Sequence, residues 1–252
     1  MMTLFKDYQA RWLTAIALLI VIGIIGVIDN KFIMWLFLGI LYMFSFYEAM
    51  KLYGIKSPTS FVWAALVWII AYFYPSPDDI FFVIAIIFAS SLAFFNNFDK
   101  RLLFPFLYPV SGFLFFFMLY NDFGIWAMIW LLATVALTDV GAFFVGKTIG
   151  KHKFSDTSPN KTWEGVIGGV VLATAIGTLF GIKYYGFWIA FAVTLLTAIA
   201  SIFGDLFESY LKRNAGVKDS GNVLPGHGGV LDRVDGYLFG VIIMVIAMRA
   251  FA

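Results

Sequence analysis

The chain has 252 residues, of which 62% are hydrophobic, 20% are aromatic and 13% are charged, and its mean hydropathy is +0.92. A soluble domain carries roughly half apolar and about a quarter charged residues, so this composition excludes a soluble globular protein and predicts a polytopic membrane protein. The formal charge of +2 is small and the basic residues are dispersed, which gives no sign of a nucleic-acid partner, and the absence of cysteine excludes a disulfide framework.

Apolar runs bounded by charged and turn residues predict an all-α fold with about nine transmembrane helices. In chain order, these runs cover Trp12–Ile28, Phe32–Tyr47, Phe61–Tyr74, Ile80–Phe95, Leu102–Leu119, Phe123–Val145, Trp163–Ile182, Tyr184–Phe203 and Tyr237–Phe251. The third run is short, and an interfacial position fits it as well as a full crossing. The first run shows no small-residue cleavage site, so we expect no cleavable signal peptide.

The basic residues predict the orientation of these helices, because cytoplasmic loops hold an excess of Lys and Arg. With the N-terminus in the cytoplasm, nine spans place fourteen basic residues on the cytoplasmic side and three, Lys31, Lys183 and Arg249, on the other. An error of one span would invert the downstream half of this distribution. We therefore expect a cytoplasmic N-terminus and a C-terminus on the opposite side.

The density of polar residues divides the chain into two regions. Residues 1–122 have short loops with few charges, which leaves a scaffold, a dimer contact and a lipid groove open as roles. Residues 123–252 contain two long polar loops, 146–162 and 205–234, which flank the predicted seventh and eighth helices and face the cytoplasm. A short helical hairpin would bring these loops together, so we expect the second region to be catalytic.

Two glycine patterns are interpreted as structural. Small residues recur every four positions along the seventh predicted helix, at Gly165, Gly169, Ala173, Gly177 and Gly181. Such a stripe predicts that another helix approaches closely. Gly141–Thr148 matches the nucleotide-binding P-loop pattern, but its apolar residues continue a helix, so no phosphate-binding loop is expected there.

Four acidic residues lie inside or at the ends of predicted spans, namely Asp139, Glu164, Asp205 and Glu208. An ionised acid at mid-bilayer costs roughly 3 kcal/mol on insertion scales. Such residues indicate a wet cavity, a cation partner or a metal site. Internal salt bridges are the structural alternative, and they fit Glu164 best because it lies at a helix start.

One predicted helical face carries Asp205, Glu208, Ser209 and Lys212 at spacings of three and four. Mg²⁺ usually binds to one or two carboxylates and leaves its other positions to water and phosphates. Asp205 and Asp232 are the best pair for this ion, with a second cation left open. The two histidines of the chain are too isolated to indicate zinc.

Cations and backbone amides are available for phosphate groups. The cations that would neutralise phosphate oxygens are Lys212, Arg213, Lys218 and Arg233. Pro225–Gly229 can form an anion-binding nest of backbone amides or a simple flexible turn. Ser158 before Pro159 is typical of an N-cap and first helical residue, so we expect a helix start there.

The polar residues stand in an ordered pattern, Ser209-x-x-Lys212-Arg213, Lys218-Asp219, Pro225-x-His227-Gly228-Gly229 and Asp232-Arg233-x-Asp235. At these residues the chain resembles the phosphatidate cytidylyltransferases, also called CDP-diacylglycerol synthases. Asp139, Gly146, Lys147 and Ser158–Gly165 also resemble the second sequence block of that family. The resemblance implies an all-helical homodimer in a bacterial-type inner membrane, with its active site facing the cytoplasm.

The implied reaction converts CTP and phosphatidate into CDP-diacylglycerol and pyrophosphate, with Mg²⁺ as the cofactor. The implied catalytic residues are Asp205, Lys212, Arg213, Lys218, Asp219, His227, Asp232, Arg233 and Asp235, and Asp205 and Asp232 are the metal ligands. The implied substrate-binding residues are Asp139, Lys147, Ser158, Asn160, Lys161, Glu164, Glu208, Ser209, Gly228 and Gly229. A phosphate monoester is largely dianionic at neutral pH, so His227 is expected to donate to a phosphate rather than to act as a base.

Two other functions stay open at this point. A CTP-dependent lipid-alcohol kinase would share the nucleotide and the membrane-embedded substrate, but it would need a base to deprotonate a hydroxyl. An ion-coupled transporter of an anionic solute would also use buried acids, but it predicts inverted repeats, which the sequence does not show.

Overall fold

The computed structural model of the protein describes residues 16–226 and 228–251. Within these ranges the chain forms helices and two isolated β-bridges, which confirms the predicted all-α class. The α-helices are α1 (Ile16–Ile28), α2 (Lys31–Leu52), α3 (Pro58–Phe73), α4 (Ile80–Phe94), α5 (Ser111–Ile149), α6 (Trp163–Tyr185), α7 (Phe187–Asn214) and α8 (Leu231–Ala250). Short 3₁₀ and π turns cover Pro77–Asp79, Lys100–Leu103 and Phe106–Val110.

Five helical stretches of the described chain are long and apolar enough to cross a membrane. They are Lys31–Leu52, Pro77–Phe94, Lys100–Ile149, Trp163–Tyr185 and Phe187–Asn214. The apolar helices α1 and α3 are shorter. A lipid-facing helix must present apolar side chains along its whole length, so these stretches indicate an integral membrane protein.

Helix α5 is interrupted at Gly124. This residue has φ 72° and ψ −172°, a conformation with positive φ that glycine adopts without steric cost. The break falls at the start of the predicted Phe123–Val145 span. The part of α5 before the break contains the end of the predicted Leu102–Leu119 run, and the part after it contains most of the predicted Phe123–Val145 run.

The described chain forms two compact units, and each is discontinuous in sequence. The first contains Met1–Phe117 and Ala215–Arg233, and the second contains Met118–Asn214 and Val234–Ala252. The polar segment after α7 belongs to the first unit, together with the N-terminal helices.

Paired tryptophans hold α2 against α3 in the first unit. Trp35 Nε1 donates to the carbonyl of Trp68 at 2.9 Å, and Trp68 Nε1 donates to the carbonyl of Trp35 at 3.2 Å. Further along the same two helices, the Tyr42 hydroxyl donates to the carbonyl of Ala64 at 2.9 Å. A slip of one residue between the helices would break all three bonds, so these contacts fix their register.

The predicted small-residue stripe is confirmed in the second unit. Its five members are buried on α6. A Cβ atom at Gly169 would lie 2.9 Å from the backbone nitrogen of Ala142, and one at Gly165 would lie 2.7 Å from the carbonyl oxygen of Ala142. Helix α6 therefore touches the backbone of α5, an approach that only residues without large side chains allow.

The helices extend further into the polar segments than the sequence suggested. Helix α5 continues to Ile149 and α7 to Asn214, which shortens the loops predicted at 146–162 and 205–234. The P-loop-like Gly141–Thr148 is helical, as predicted. The predicted helix start at Ser158 is wrong: α6 begins at Trp163, and the Thr162 hydroxyl caps it by accepting from Gly165 N at 3.2 Å.

Candidate functional site

A small polar cavity of about 270 Å³ lies in the second unit, where α5, α7 and the start of α6 meet. Its polar lining comes from Asp139, Asn160, Lys161, Thr162 and Asp205. The Lys161 ammonium forms an ion pair with the Asp205 carboxylate. Four residues predicted to bind substrate or metal are thus brought together around a space that could receive a polar ligand.

The C-terminal part of α7 concentrates acids with cationic partners. Glu208 is fully buried and its Oε2 lies 2.5 Å from Lys212 Nζ. The Ser209 hydroxyl donates to Asp205 Oδ1 at 3.4 Å. Asp235 on α8 lies within electrostatic range of both Asp205 and Glu208. The predicted face of α7 is confirmed, and its acids form one network with Asp235.

Glu164 holds the loop that precedes α6. Its carboxylate accepts from the backbone nitrogens of Lys151 and His152 at 3.1 and 3.2 Å, and it lies 2.5 Å from His152 Nδ1. It is not part of the polar cavity lining. These contacts agree with the structural alternative for Glu164, an internal ion pair near a helix start.

Two other predicted residues of this unit contact the chain itself. Lys147 Nζ lies 5.5 Å from the ring centroid of Phe143, one helical turn earlier. The carbonyl oxygen of Ser158 accepts from Lys161 N at 3.0 Å, which closes the turn before α6. Ser158 therefore helps to place Lys161 beside the cavity, whereas neither Lys147 nor Ser158 lines it.

The carboxylate of Asp232 is clamped at the start of α8, in the first unit. Its Oδ2 accepts from Ser220 N and Ser220 Oγ, both at 2.9 Å, and from Gly229 N at 2.8 Å. Gly228 has φ 82°, and a Cβ there would lie 2.9 Å from Asp232 Oδ2. The glycine-rich segment was predicted to offer backbone amides to an anion, and the anion bound by Gly229 is this carboxylate.

A second polar cavity, of about 560 Å³, opens beside this loop. It is lined by Lys218, Asp219, Arg233 and the turn residues around Pro225–Gly226. Two cations and one carboxylate give the charged lining a net positive charge, which suits a ligand with several phosphate oxygens. Arg233 follows Asp232 directly, so the clamp on Asp232 also fixes the backbone that carries this arginine.

Comparison with known proteins gives the family of this chain. The sequence model of the cytidylyltransferase family matches residues 9–251. The chain belongs to the cytidylyltransferase family. A phosphatidate cytidylyltransferase of Helicobacter pylori strain J99 is 46% identical over 242 residues, which cover 95% of this chain and 91% of that protein. A phosphatidate cytidylyltransferase of Brucella suis is 47% identical over 133 residues, 48% of this chain and 49% of that protein.

Among the described residues of this cytidylyltransferase-family protein, Glu48 is a fully buried acid that the sequence reasoning missed. Glu48 lies near the end of α2 and is fully buried. Its carboxylate accepts from Val230 N at 3.1 Å and Leu231 N at 2.7 Å. Its Oε2 also lies 3.3 Å from Ser220 Oγ, whose one proton has the shorter contact to Asp232. The available signal was an ionisable residue directly after the predicted Phe32–Tyr47 span, a position that by default indicates function.

The oxygen ligands of this cytidylyltransferase-family protein are compatible with Mg²⁺. In residues 16–226 and 228–251 no three His, Cys, Asp or Glu side chains converge as a metal cage. Mg²⁺ does not need such a cage, because it usually takes one or two carboxylates together with water and substrate phosphates. Asp205 lines one polar cavity, and Asp232 precedes a residue that lines the other. His227 lies outside the described residues, so its expected role stays a prediction.

Proposed function

We propose that this chain is a phosphatidate cytidylyltransferase, which joins CTP and phosphatidate to give CDP-diacylglycerol and pyrophosphate. The observation that carries the proposal is the 46% identity to a phosphatidate cytidylyltransferase over 95% of the chain. The complete polar signature from Ser209 to Asp235 supports it. So does the cavity that Lys218 and Arg233 line, because a triphosphate and a lipid phosphate both require cations.

The proposed chemistry needs charge neutralisation more than it needs a base. A phosphate oxygen of phosphatidate attacks the α-phosphorus of CTP, and the bond from that phosphorus to the bridging oxygen of pyrophosphate breaks. The attacking phosphate is already largely dianionic at neutral pH, so no proton has to be removed from it. Lys218 and Arg233 line one cavity and Lys161 lines another. These cations are proposed to lower the repulsion between the anions and to stabilise the departing pyrophosphate.

Asp205 and Asp232 are the proposed carboxylate ligands of Mg²⁺. When bound, the ion would neutralise phosphate charge and orient the triphosphate, and a second cation is compatible with the same chemistry. On the chain itself, Ser220 and Gly229 fix the orientation of the Asp232 carboxylate. Lys161 balances the charge of Asp205.

The proposed topology has nine spans with the N-terminus in the cytoplasm. The stretch Lys100–Ile149 has 50 residues, so a straight helix of that length would measure about 75 Å, against about 30 Å of hydrocarbon core. The break at Gly124 supports two crossings in place of one. The distribution of Lys and Arg supports the orientation and the cytoplasmic site. The bacterial relatives support a bacterial-type inner membrane. A homodimer completes the proposal.

Transfer of label from [α-³²P]CTP tests the proposed function. Purified protein in detergent micelles that contain phosphatidate and Mg²⁺ is expected to produce labelled CDP-diacylglycerol, and EDTA is expected to abolish the product. No labelled lipid from folded protein would contradict the proposal. Label from [γ-³²P]CTP in a lipid alcohol would instead identify a kinase, and solute flux in liposomes would identify a transporter.

Replacement of Lys161 tests the polar cavity of the second unit. Lys161→Met removes the cation from a lining that also contains the carboxylates of Asp139 and Asp205. We expect kcat/KM for CTP to fall by about 10-fold or more, since a positioned charge that stabilises phosphate oxygens is lost. The measurement is initial rate against CTP concentration in micelles. Lys153→Met is the matched control, because this lysine pairs with the exposed Asp156 at 3.0 Å; equal losses in both variants would contradict the prediction.

A further inference from the structure

The contacts of Glu48 cap α8 from another part of the chain. The first backbone N–H groups of a helix have no carbonyl partner within that helix and need an acceptor from elsewhere. Val230 N and Leu231 N stand at this position in α8, and both donate to the Glu48 carboxylate. An anion at a helix N-terminus is also favoured by the helix dipole. Glu48 therefore supplies the acceptor that a local N-cap side chain would normally provide.

One serine connects this cap to the clamped aspartate. Ser220 Oγ lies 3.3 Å from Glu48 Oε2 and 2.9 Å from Asp232 Oδ2. The same residue donates its backbone N–H to Asp232 Oδ2 at 2.9 Å. A movement of Glu48 would therefore reach Asp232 by two routes. One is the Ser220 hydroxyl, and the other is the backbone of Val230 and Leu231, which directly precedes Asp232.

The loop is shaped to fit this carboxylate. A Cβ at Gly229 would lie 2.6 Å from each Glu48 oxygen, and one at Gly221 would lie 2.8 Å from Glu48 Cδ. Real Cβ atoms do not approach so closely, so both positions require glycine while Glu48 is in place. The residues on the two sides of the glycine-rich turn are therefore packed directly on the buried acid of α2.

We propose that Glu48 is a positioning residue for the cytidylyltransferase reaction, which holds residues 220–231 so that Asp232 and Arg233 meet the metal-bound nucleotide in the required orientation. This inference rests on the proposed function. It makes α2 a part of the catalytic apparatus, although the sequence of the N-terminal half shows no concentration of polar chemistry. Glu48 acts through Ser220, Val230 and Leu231 and needs no contact with substrate.

Glu48→Gln is the decisive variant, because it keeps the shape of the side chain. A glutamine has one carbonyl oxygen, and its amide nitrogen can only donate. Val230 N now donates to one carboxylate oxygen and Leu231 N to the other, so one of these two donors would face the amide nitrogen, which is also a donor. We expect the Mg²⁺ concentration for half-maximal activity to rise by about 10- to 100-fold, as when other groups that orient metal ligands are removed.

The controls separate positioning from loss of the fold. Ser45→Ala is the matched control: Ser45 is buried one turn before Glu48 on the same helix, and its hydroxyl has no hydrogen-bond partner among the described residues. It is expected to leave the Mg²⁺ dependence unchanged. Ser220→Ala removes only the hydroxyl link to Asp232 and is expected to shift the Mg²⁺ dependence in the same direction as Glu48→Gln, by less. This second variant tests the proposal if Glu48→Gln does not fold.

Kinetics and hydrogen exchange together decide the outcome. In Glu48→Gln, the backbone amides of Val230 and Leu231 are expected to exchange faster, and the Mg²⁺ dependence of the activity is expected to shift. If Glu48 only stabilised the fold, the variant would yield less folded enzyme, and the Mg²⁺ dependence of the folded fraction would not change. If the wild type is active and folded Glu48→Gln has the wild-type Mg²⁺ dependence, the positioning role of Glu48 is overturned and the proposed function is not affected. If the folded wild type makes no CDP-diacylglycerol, the proposed function is overturned, and the positioning role of Glu48 in that reaction is overturned with it. Hydrogen exchange would still show whether Glu48 caps α8.

Discussion

Asp232→Asn is expected to lower kcat for CDP-diacylglycerol synthesis by about 100-fold or more, the range seen when one preorganised electrostatic group is removed from an active site. Two effects combine. First, the variant loses a negative charge that is proposed to bind Mg²⁺. Second, Asp232 Oδ2 accepts three hydrogen bonds from Ser220 and Gly229, and an asparagine with its amide nitrogen at this position could accept none of them. The measurement is the rate of label transfer from [α-³²P]CTP at saturating substrates over a range of Mg²⁺ concentrations.

The matched control for this change is Asp156→Asn. Asp156 is almost fully exposed and pairs with Lys153 at 3.0 Å, so its replacement also removes one charge. Exposed ion pairs contribute little to stability, and we expect wild-type activity from this variant. An Asp232→Asn enzyme with wild-type kcat and wild-type Mg²⁺ dependence would remove Asp232 from the proposed metal ligands.

Gly169→Leu is expected to produce the largest loss of stability among single substitutions on α6. Even a Cβ at this position would meet the carbonyl of Thr138 and lie 2.9 Å from Ala142 N, so a leucine would force α5 and α6 apart. Overpacking a well-packed interior costs about 1–3 kcal/mol and sometimes more. The expected result is a low yield of monodisperse protein in detergent and a lower midpoint of thermal unfolding, measured by fluorescence-detected gel filtration after heating.

Gly23→Leu is the control for the stripe. Gly23 is a helical glycine on α1, and a Cβ built on it meets nothing within 4 Å. The same change in side-chain volume should therefore leave the yield and the unfolding midpoint close to those of the wild type. If both leucine variants behaved alike, the close approach of α5 and α6 would not be the reason for the small residues on α6.

The sequence was sufficient for those parts of the fold that depend on local pattern. Runs of apolar residues predicted the helices, because in lipid the backbone N–H and C=O groups of an exposed segment must be hydrogen-bonded to one another. The four-residue spacing on α6 gave its buried stripe, because residues four apart lie on one side of a helix. The signature residues Asn160, Lys161 and Asp205 were also assigned to one site, and the structure places them around one cavity.

Tertiary contacts could not be predicted in the same way. Glu48 is separated from Ser220 by 172 residues and from Leu231 by 183 residues, so no local pattern indicated that these residues meet. The helix start was misplaced for a related reason. Ser158 and Thr162 both have hydroxyls that could cap a helix, and only the packing of α6 selects Thr162.

The discontinuity of the first unit affects how the protein can be made. Ser220 is synthesised 172 residues after Glu48, and at about 5–20 residues per second this interval is roughly 10 to 30 seconds. During that time the Glu48 side chain lies in or beside the bilayer without Val230 N and Leu231 N, which donate to it in the finished protein. An ionised acid at mid-bilayer costs roughly 3 kcal/mol. The N-terminal helices are therefore expected to reach their final packing late, after Ala215–Arg233 has been synthesised.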